Sequence, residues 1–493
     1  MRTVVVGAGL GGLSAACHLA GRGHEVVVVD QESVPGGRAG VVEEGGFRID
    51  TGPTVLTMVG LLEQTFAAAG TALEDHLTLR ILDPTYRACF PDGSELRVRP
   101  DRHAMAEEIR TFAGAGEAAA FERFCSWLGR MYRLELPHFI DRNYDSPLDL
   151  ARDLMALVRL VRLGGLRKLA PTVAGFFTDP RLQRIFSFQS MYAGLSPFEA
   201  LAIYSVITYM DMVEGVYFPE GGMHAVPRAL TSAAEKAGAT FHFATPVERI
   251  TRHADGSVQG ARLSSGELIA ADAVVCNVDV AVAYRSLLGL SPPRVASRGR
   301  YSPSCIVWLA GVRGALPAGA AHHNIHFGTS WREAFTALLA DGRRMPDPSV
   351  LVTSATASDP SLAPDGAITL FALEPAPNLD GNVDWASERL RLRDELATRV
   401  GGLGYPVDDV VVERLTDPRD WEAQGLERGT PFALAHRFFQ TGPFRPGNAD
   451  RRIPGLVFTG MGTVPGVGIP MVLISGRLAA DRVDEWAGTR GRR

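Results

Sequence analysis

The N-terminus sets out a strand, a glycine turn, a helix and a second strand with almost nothing between them. Thr3–Val6 is a β-branched run, Leu10–Gly21 is a helix of small residues, and Val26–Val29 is four valines in a row. Apolar runs without alternation form strands buried on both faces, as in a parallel sheet. A βαβ unit this compact commits the chain to an α/β layer architecture. Its turn reads Gly7-Ala8-Gly9-Leu10-Gly11-Gly12, a GxGxxG that follows a strand and opens a helix. Glycine is needed there for the tight turn, for close backbone approach to a pyrophosphate, and for helix–strand packing. The free N–H groups of the helix start then favour phosphate oxygens. Asp30 closes the second strand, 18 residues after Gly12, where a carboxylate can accept ribose hydroxyls. These features predict a Rossmann-type dinucleotide-binding domain.

Two more glycine motifs follow in an informative order. Pro35-Gly36-Gly37-Arg38-Ala39-Gly40 comes soon after the second strand, and Phe47–Pro53 (FRIDTGP) after that. Near the C-terminus, Gly460–Met471 (GMGTVPGVGIPM) opens the last helix, so backbone can approach a planar ring and a helix dipole can stabilise negative charge. In amine-oxidase-type flavoproteins a Gly-Gly-Arg at the first of these places sets a guanidinium against the FAD phosphates, a geometry arginine suits. All three pieces together point to FAD.

At 493 residues the chain exceeds one hydrophobic core, so two or three domains are expected. Strand character at both ends and around VERI and DAVVCN reads as one buried sheet, which predicts a discontinuous FAD domain from 1–85, 215–290 and 445–493. Helical periodicity dominates from about Asp101 to Asp211, and 86–214 is expected to be a helical, substrate- and membrane-facing insertion. Residues 291–444 form a mixed-sheet substrate domain, and the tail frays after Gly488. The expected fold class is α/β, α+β overall.

A net charge of −5 gives no general attraction to nucleic acid. The five cysteines form no CxxC pair and no metal-ligand spacing with histidine, which fits isolated thiols in the cytoplasm and no metal. Glycines interrupt the first apolar stretch, so no signal peptide is expected there. No uncharged apolar run reaches the length of a membrane span.

The internal segments narrow the family. GGFRIDTGPTVLTM, RIFSFQSMYAGLSPFEALAIYSVITYMD, GVYFPEGGMHAVPRAL, YSPSCIVWLAGV with AHHNIHFG, and FFQTGPFRPGN with GLVFTGMGTVPGVGIPMVLISGRLAA resemble bacterial and fungal phytoene desaturases from the first strand to the last helix. The resemblance implies an FAD-dependent enzyme that introduces double bonds into a long linear isoprenoid, phytoene toward lycopene. It places the cofactor on Gly7, Gly9, Gly12, Asp30, Gly36, Gly37, Arg38, Thr54, Val247, Gly462, Gly468 and Met471. Asp30 departs from the glutamate of many wider relatives, one methylene longer, and still accepts ribose hydroxyls. Alternatives are a desaturase of another carotenoid, an oxidase of an amine or porphyrinogen, or a flavin-free prenyl-lipid escort protein.

Desaturation asks the protein to exclude water, hold an apolar chain against the ring and accept one proton. Phe139, Phe176, Phe177, Phe186, Phe188, Tyr192, Tyr204 and Tyr209 offer an apolar wall, or simple core. Asp141 and Arg142 are proton-handling candidates, with a surface ion pair as the alternative. His322 and His323 could flank the polyene or be satisfied core histidines. In Leu154–Leu169, Arg159, Arg162, Arg167 and Lys168 flank Leu154, Met155, Leu157, Val158, Val161 and Leu163, as on a helix lying in a bilayer surface, with a core-packed helix and a solvated basic face as the alternative. The expected place is therefore the inner face of the cell membrane, with quinone or oxygen as electron acceptor. The oligomeric state is left open.

Overall fold

A computed structural model describes residues 1–490. Five parallel strands lie in the order Leu456–Phe458, Ala273–Cys276, Arg2–Val6, Glu25–Val29, Thr240–His242. Val4 and Val274 stand in register and are fully buried, as unbroken valine runs require. The helix Leu10–Gly21 packs along the last helix, Ile469–Arg490, so closely that a Cβ on Gly476 would lie 2.5 Å from that of Ser14. Strand order reverses beside Arg2–Val6, whose neighbours are the second strand on one side and Ala273–Cys276 on the other. Open α/β sheets bind ligands at the carboxyl ends of strands at such a switch point.

The seven-stranded sheet runs Val410–Thr416, Ser304–Arg313, Ala367–Ala376, Val350–Thr353, His323–His326, Tyr86–Cys89, Glu95–Val98. It is mixed: His323–His326 pairs Tyr86–Cys89 in parallel and Val350–Thr353 antiparallel. Helices Arg102–Ala113, Ala115–Glu135, Leu154–Arg162 and Ser205–Met212 are the longest in the insertion. The first two are split at Gly114, whose φ of 97° ends one helix and starts the next.

Three expectations are corrected. Val247–Arg252, the VERI strand, is outside the parallel sheet; it heads an antiparallel meander with Val258–Leu263 and Leu268–Ala270. Its alternation of apolar and charged residues suits one covered face, whereas a strand of the central sheet is covered on two. Tyr86–Cys89 and Glu95–Val98 fall within the stretch read as helical, yet they extend the mixed sheet. The last helix continues beyond Gly488 to Arg490; the rest of the expected frayed tail lies outside the described residues.

Candidate functional site

Four strand ends converge on the glycine turn. Gly9 starts the first helix with extended backbone (φ −72°, ψ 168°) and no side-chain cap, leaving first-turn N–H groups for an external acceptor. Gly36 N donates to Ala8 O at 2.9 Å, which lays the Gly-Gly-Arg turn along the first one. A Cβ on Gly9 would lie 2.8 Å from Asn277 Nδ2, and one on Gly11 would lie 2.8 Å from Asn277 Oδ1 and 3.0 Å from Gly460 N. The N-terminal and C-terminal glycine loops are therefore in contact. Gly460 itself has φ 94°, open to glycine at little cost.

Asp30 is buried at the end of the second strand; its carboxylate accepts Ala8 N at 2.5 Å and Glu32 N at 2.8 Å. Burial pushes its pKa up, opposed by those two bonds. Each oxygen keeps a second lone pair for a ribose hydroxyl. Thr245 N donates to Asp30 O at 2.7 Å, which brings the half-buried Val247 to this same end. Arg38 donates to Pro431 O at 2.9 Å and to Met461 S. Burial lowers its pKa to about 10, and the charge of Asp279 works against that, so it stays a cation at neutral pH.

Asp50 explains why FRIDTGP and EGGMH occur together. Its carboxylate accepts Met223 N at 2.8 Å and His224 N at 3.0 Å, while His224 Nδ1 lies 2.7 Å from Ala39 O. Thr54 is buried beside Asp50 in a small cavity shared with Phe218, Met223 and His322. At the far loop, Gly468 is exposed with φ 112°, and Gly462 backs onto Val280. Met471 packs with Met58, Val206 and Met210 in an apolar cluster. Met58 has φ 53°, strained for a residue with a side chain.

Several residues here carried no sequence signal of their own. Asn277 fills the space between three glycines, and only its place after a buried strand could have pointed to it. Arg445 is buried and donates to Met461 O at 2.6 Å, Thr463 O at 3.0 Å and Leu434 O at 3.1 Å, bracing the C-terminal glycine loop. His436 packs on that loop: a Cβ on Gly466 would meet its Cε1 at 2.1 Å. Burial, helped by the charge of Arg445, holds its pKa far below the ordinary value, so the ring is neutral.

The proton-handling candidates fare differently. Asp141 is ion-paired with Arg477, and Arg142 with Asp153, so the two do not form one unit. Both are only half-buried. His322 and His323 are buried and neutral, with Nδ1 atoms 2.8 Å from Ser358 Oγ and Thr353 Oγ1. Each leaves Nε2 without a partner. Of the aromatic wall, Phe177 and Phe186 stack on each other at 4.7 Å and pack with Phe121 and Phe124, which makes them core. Phe139, Tyr192 and Tyr209 are half-buried. Two buried carboxyls were not foreseen: Asp211, bonded by Tyr86 and raised to about 7 by burial, and Glu135, whose Oε1 has no partner.

Backbone donors at a helix start, an acidic strand end and a half-buried arginine, all joined to a second glycine loop, define a dinucleotide-dependent oxidoreductase with a second, mixed sheet. Residues 10–484 match the family described as flavin containing amine oxidoreductase. The chain is 49% identical over 488 residues to the phytoene dehydrogenase of Streptomyces griseus, covering 97% of this chain and 94% of that protein. It is 38% identical to the zeta-carotene-forming phytoene desaturase of Myxococcus xanthus, covering 99% and 95%. In fold it resembles an oxidoreductase from Methanosarcina mazei, with a TM-score of 0.63 at 16% identity, covering 97% and 99%. The chain belongs to the flavin containing amine oxidoreductase family, in its phytoene desaturase branch. It is an FAD-dependent oxidoreductase, and the glycine cradle fits that cofactor because a side chain at Gly9 or Gly11 would close it.

Proposed function

We propose that the protein desaturates a long linear isoprenoid in carotenoid formation, taking phytoene toward lycopene. The observation that carries this is the 49% identity running across 97% of the chain to a relative named for phytoene dehydrogenation. When bound, FAD supplies the hydride acceptor. The first-turn N–H groups, Arg38 and Asp30 would hold its phosphates and ribose, and Thr54, Val247, Gly462, Gly468 and Met471 would border the rest. The apolar cluster of Met58, Val206, Met210 and Met471 would exclude water where the chain meets the ring. The test is purified holoenzyme with phytoene in liposomes under an added quinone. Coloured products with longer conjugation are expected. Conversion of a hydroxylated or methoxylated carotenoid with phytoene untouched would overturn the substrate.

Entry from the membrane is the second part of this reading. Among the described residues no helix is long and apolar enough to cross a membrane. Leu154, Met155, Val161 and Leu166 are nevertheless 42–67% exposed, beside exposed Arg159, Arg162, Arg167 and Lys168. Phe439, 72% exposed, stacks edge-on against Phe444, whose turn packs on Pro147–Asp153 just before this helix. Large apolar side chains clustered in water are a contact surface, and cations beside them suit anionic lipid. The protein would rest on the inner face of the cell membrane, where quinone is within reach as acceptor and oxygen is the alternative.

A further inference from the structure

Where the helix Ala115–Glu135 ends, the chain continues as one wide turn of π-helix, Leu136–Ile140. Such turns are rare and occur often at functional sites. Glu135 stands at this junction and is 5% exposed. Its Oε1 is sealed from solvent with no hydrogen-bond partner. Every other fully buried carboxylate among the described residues has a donor or a cation: Asp30 two backbone N–H groups, Glu117 Thr178 and Asp179, Asp149 Ser146 and Arg152, Asp211 Tyr86. Glu374, Asp417 and Glu427 are each paired with arginine. A lone buried carboxyl costs several times what a surface one does, so its retention calls for a reason.

The surroundings supply one. Tyr132 and Leu136, on either side of Glu135, pack with Met58 and Met471, the residues at the two loops that would border the flavin ring. Ile140, at the end of the π turn, joins the same cluster. About two turns earlier the same helix holds the segment proposed to face lipid: Trp127 Nε1 donates to Leu163 O at 2.9 Å. Glu135 therefore stands on the helix that touches both the Leu154–Arg162 side and the cluster of Met58 and Met471.

We propose that Glu135 receives the proton lost from the substrate in each desaturation. This rests on the carotenoid reading above. One carbon of the pair loses a hydride to FAD and its neighbour loses a proton to a Glu135 carboxylate oxygen; the two electrons of the second C–H bond become the new π bond. Glu135 then releases the proton to water along the half-buried π turn, and the quinone reoxidises the flavin. The groups facing Glu135 do not compete for this. Tyr204, whose hydroxyl is given to His436 O, is the ionisable neighbour from the adjoining turn, with Arg445 and the neutral His436 behind it. From its own helix Tyr132 is engaged with Glu214, and from Ser205–Met212 the contacts are Val206 and Met210. Burial pushes the Glu135 pKa well above the ordinary value.

The experiment compares the parent holoenzyme with Glu135→Gln and Glu135→Leu. Glu135→Gln is expected to keep its FAD content and KM while kcat falls roughly 100-fold or more. The acid limb of the parent pH–kcat profile, set above the normal carboxylate range, should vanish. On anaerobic reduction by phytoene, the parent should gain the infrared carbonyl band of a protonated carboxyl, absent from both variants. A readout free of turnover is the pH dependence of Tm: below the unfolded pKa the neutral acid costs little, and parent stability falls as pH rises through the raised folded value. Glu135→Leu should not show that fall. Failure of the parent itself to act on phytoene would sink the substrate reading. An active parent with Glu135→Gln within threefold of it in kcat, or with an unchanged pH profile, would sink the role of Glu135.

Discussion

The glycine-loop end and the exposed Leu154–Leu166 end of this molecule are built on opposite terms. At the glycine-loop end glycines decide the shape: Gly9, Gly11 and Gly460 close around Asn277. At the other end long side chains decide, with Leu154, Met155 and Arg159 left in solvent. The first is rigid because a Cβ has nowhere to go; the second is adaptable because no single atom position is demanded. A phosphate needs N–H groups at fixed distance, whereas a polyene needs only a dry surface of sufficient length.

The sharpest way to break this contrast is Gly9→Val. A side chain there meets Asn277 Nδ2 and fills the space beside the helix start, so flavin absorbance of the purified protein should vanish while it remains folded by circular dichroism. Yellow protein with normal FAD content would remove Gly9 from the phosphates.

A smaller, graded effect is expected at the other end. Changing Arg159, Arg162, Arg167 and Lys168 together to glutamate removes about 1 kcal/mol of lipid attraction for each cation and adds repulsion. Sedimentation with anionic liposomes should fall at least about 100-fold in affinity, with FAD content unchanged. Activity on phytoene in liposomes should drop far more than on detergent-dispersed phytoene. Binding equal to the parent would mean that the segment is not the contact surface. Phe438→Ser with Phe439→Ser separates the apolar contribution, because it should weaken binding to neutral liposomes as well.

The smallest effect lies between the two ends. Asp211 titrates near 7 in the folded protein against an ordinary value of 3.8, because burial disfavours its charge. A raised carboxyl pKa gives stability that is complete below the unfolded value and is lost as pH rises through about 7. Asp211→Asn cannot titrate, so its Tm relative to the parent should rise between pH 4 and 8 in a thermal melt series. A constant difference across that range would show that Asp211 is charged throughout.

The legibility of the two ends differs for the same reason. That Asp30 ends the second strand and that glycine turns open the first and last helices was readable because each motif is contiguous. The VERI strand was read into the wrong sheet, since alternation reveals that one face is covered but not by what. Asp141 and Arg142 looked like a pair because they are adjacent in sequence; the fold gives them Arg477 and Asp153 instead. Asp50 lay inside a quoted motif, yet its bonds to Met223 N and His224 N span more than 170 residues.

By itself the sequence determined the βαβ start, the dinucleotide, and the branch of enzymes to which the chain is kin, because backbone geometry at glycine and strand periodicity are properties of neighbours in sequence. Only the tertiary structure decided which carboxyl stands unpaired, which aromatics are core, and that Asn277 and Arg445 brace the glycine loops. Those outcomes depend on burial and on partners brought from distant segments, and the free energy of a polar group is set by what surrounds it rather than by what precedes it.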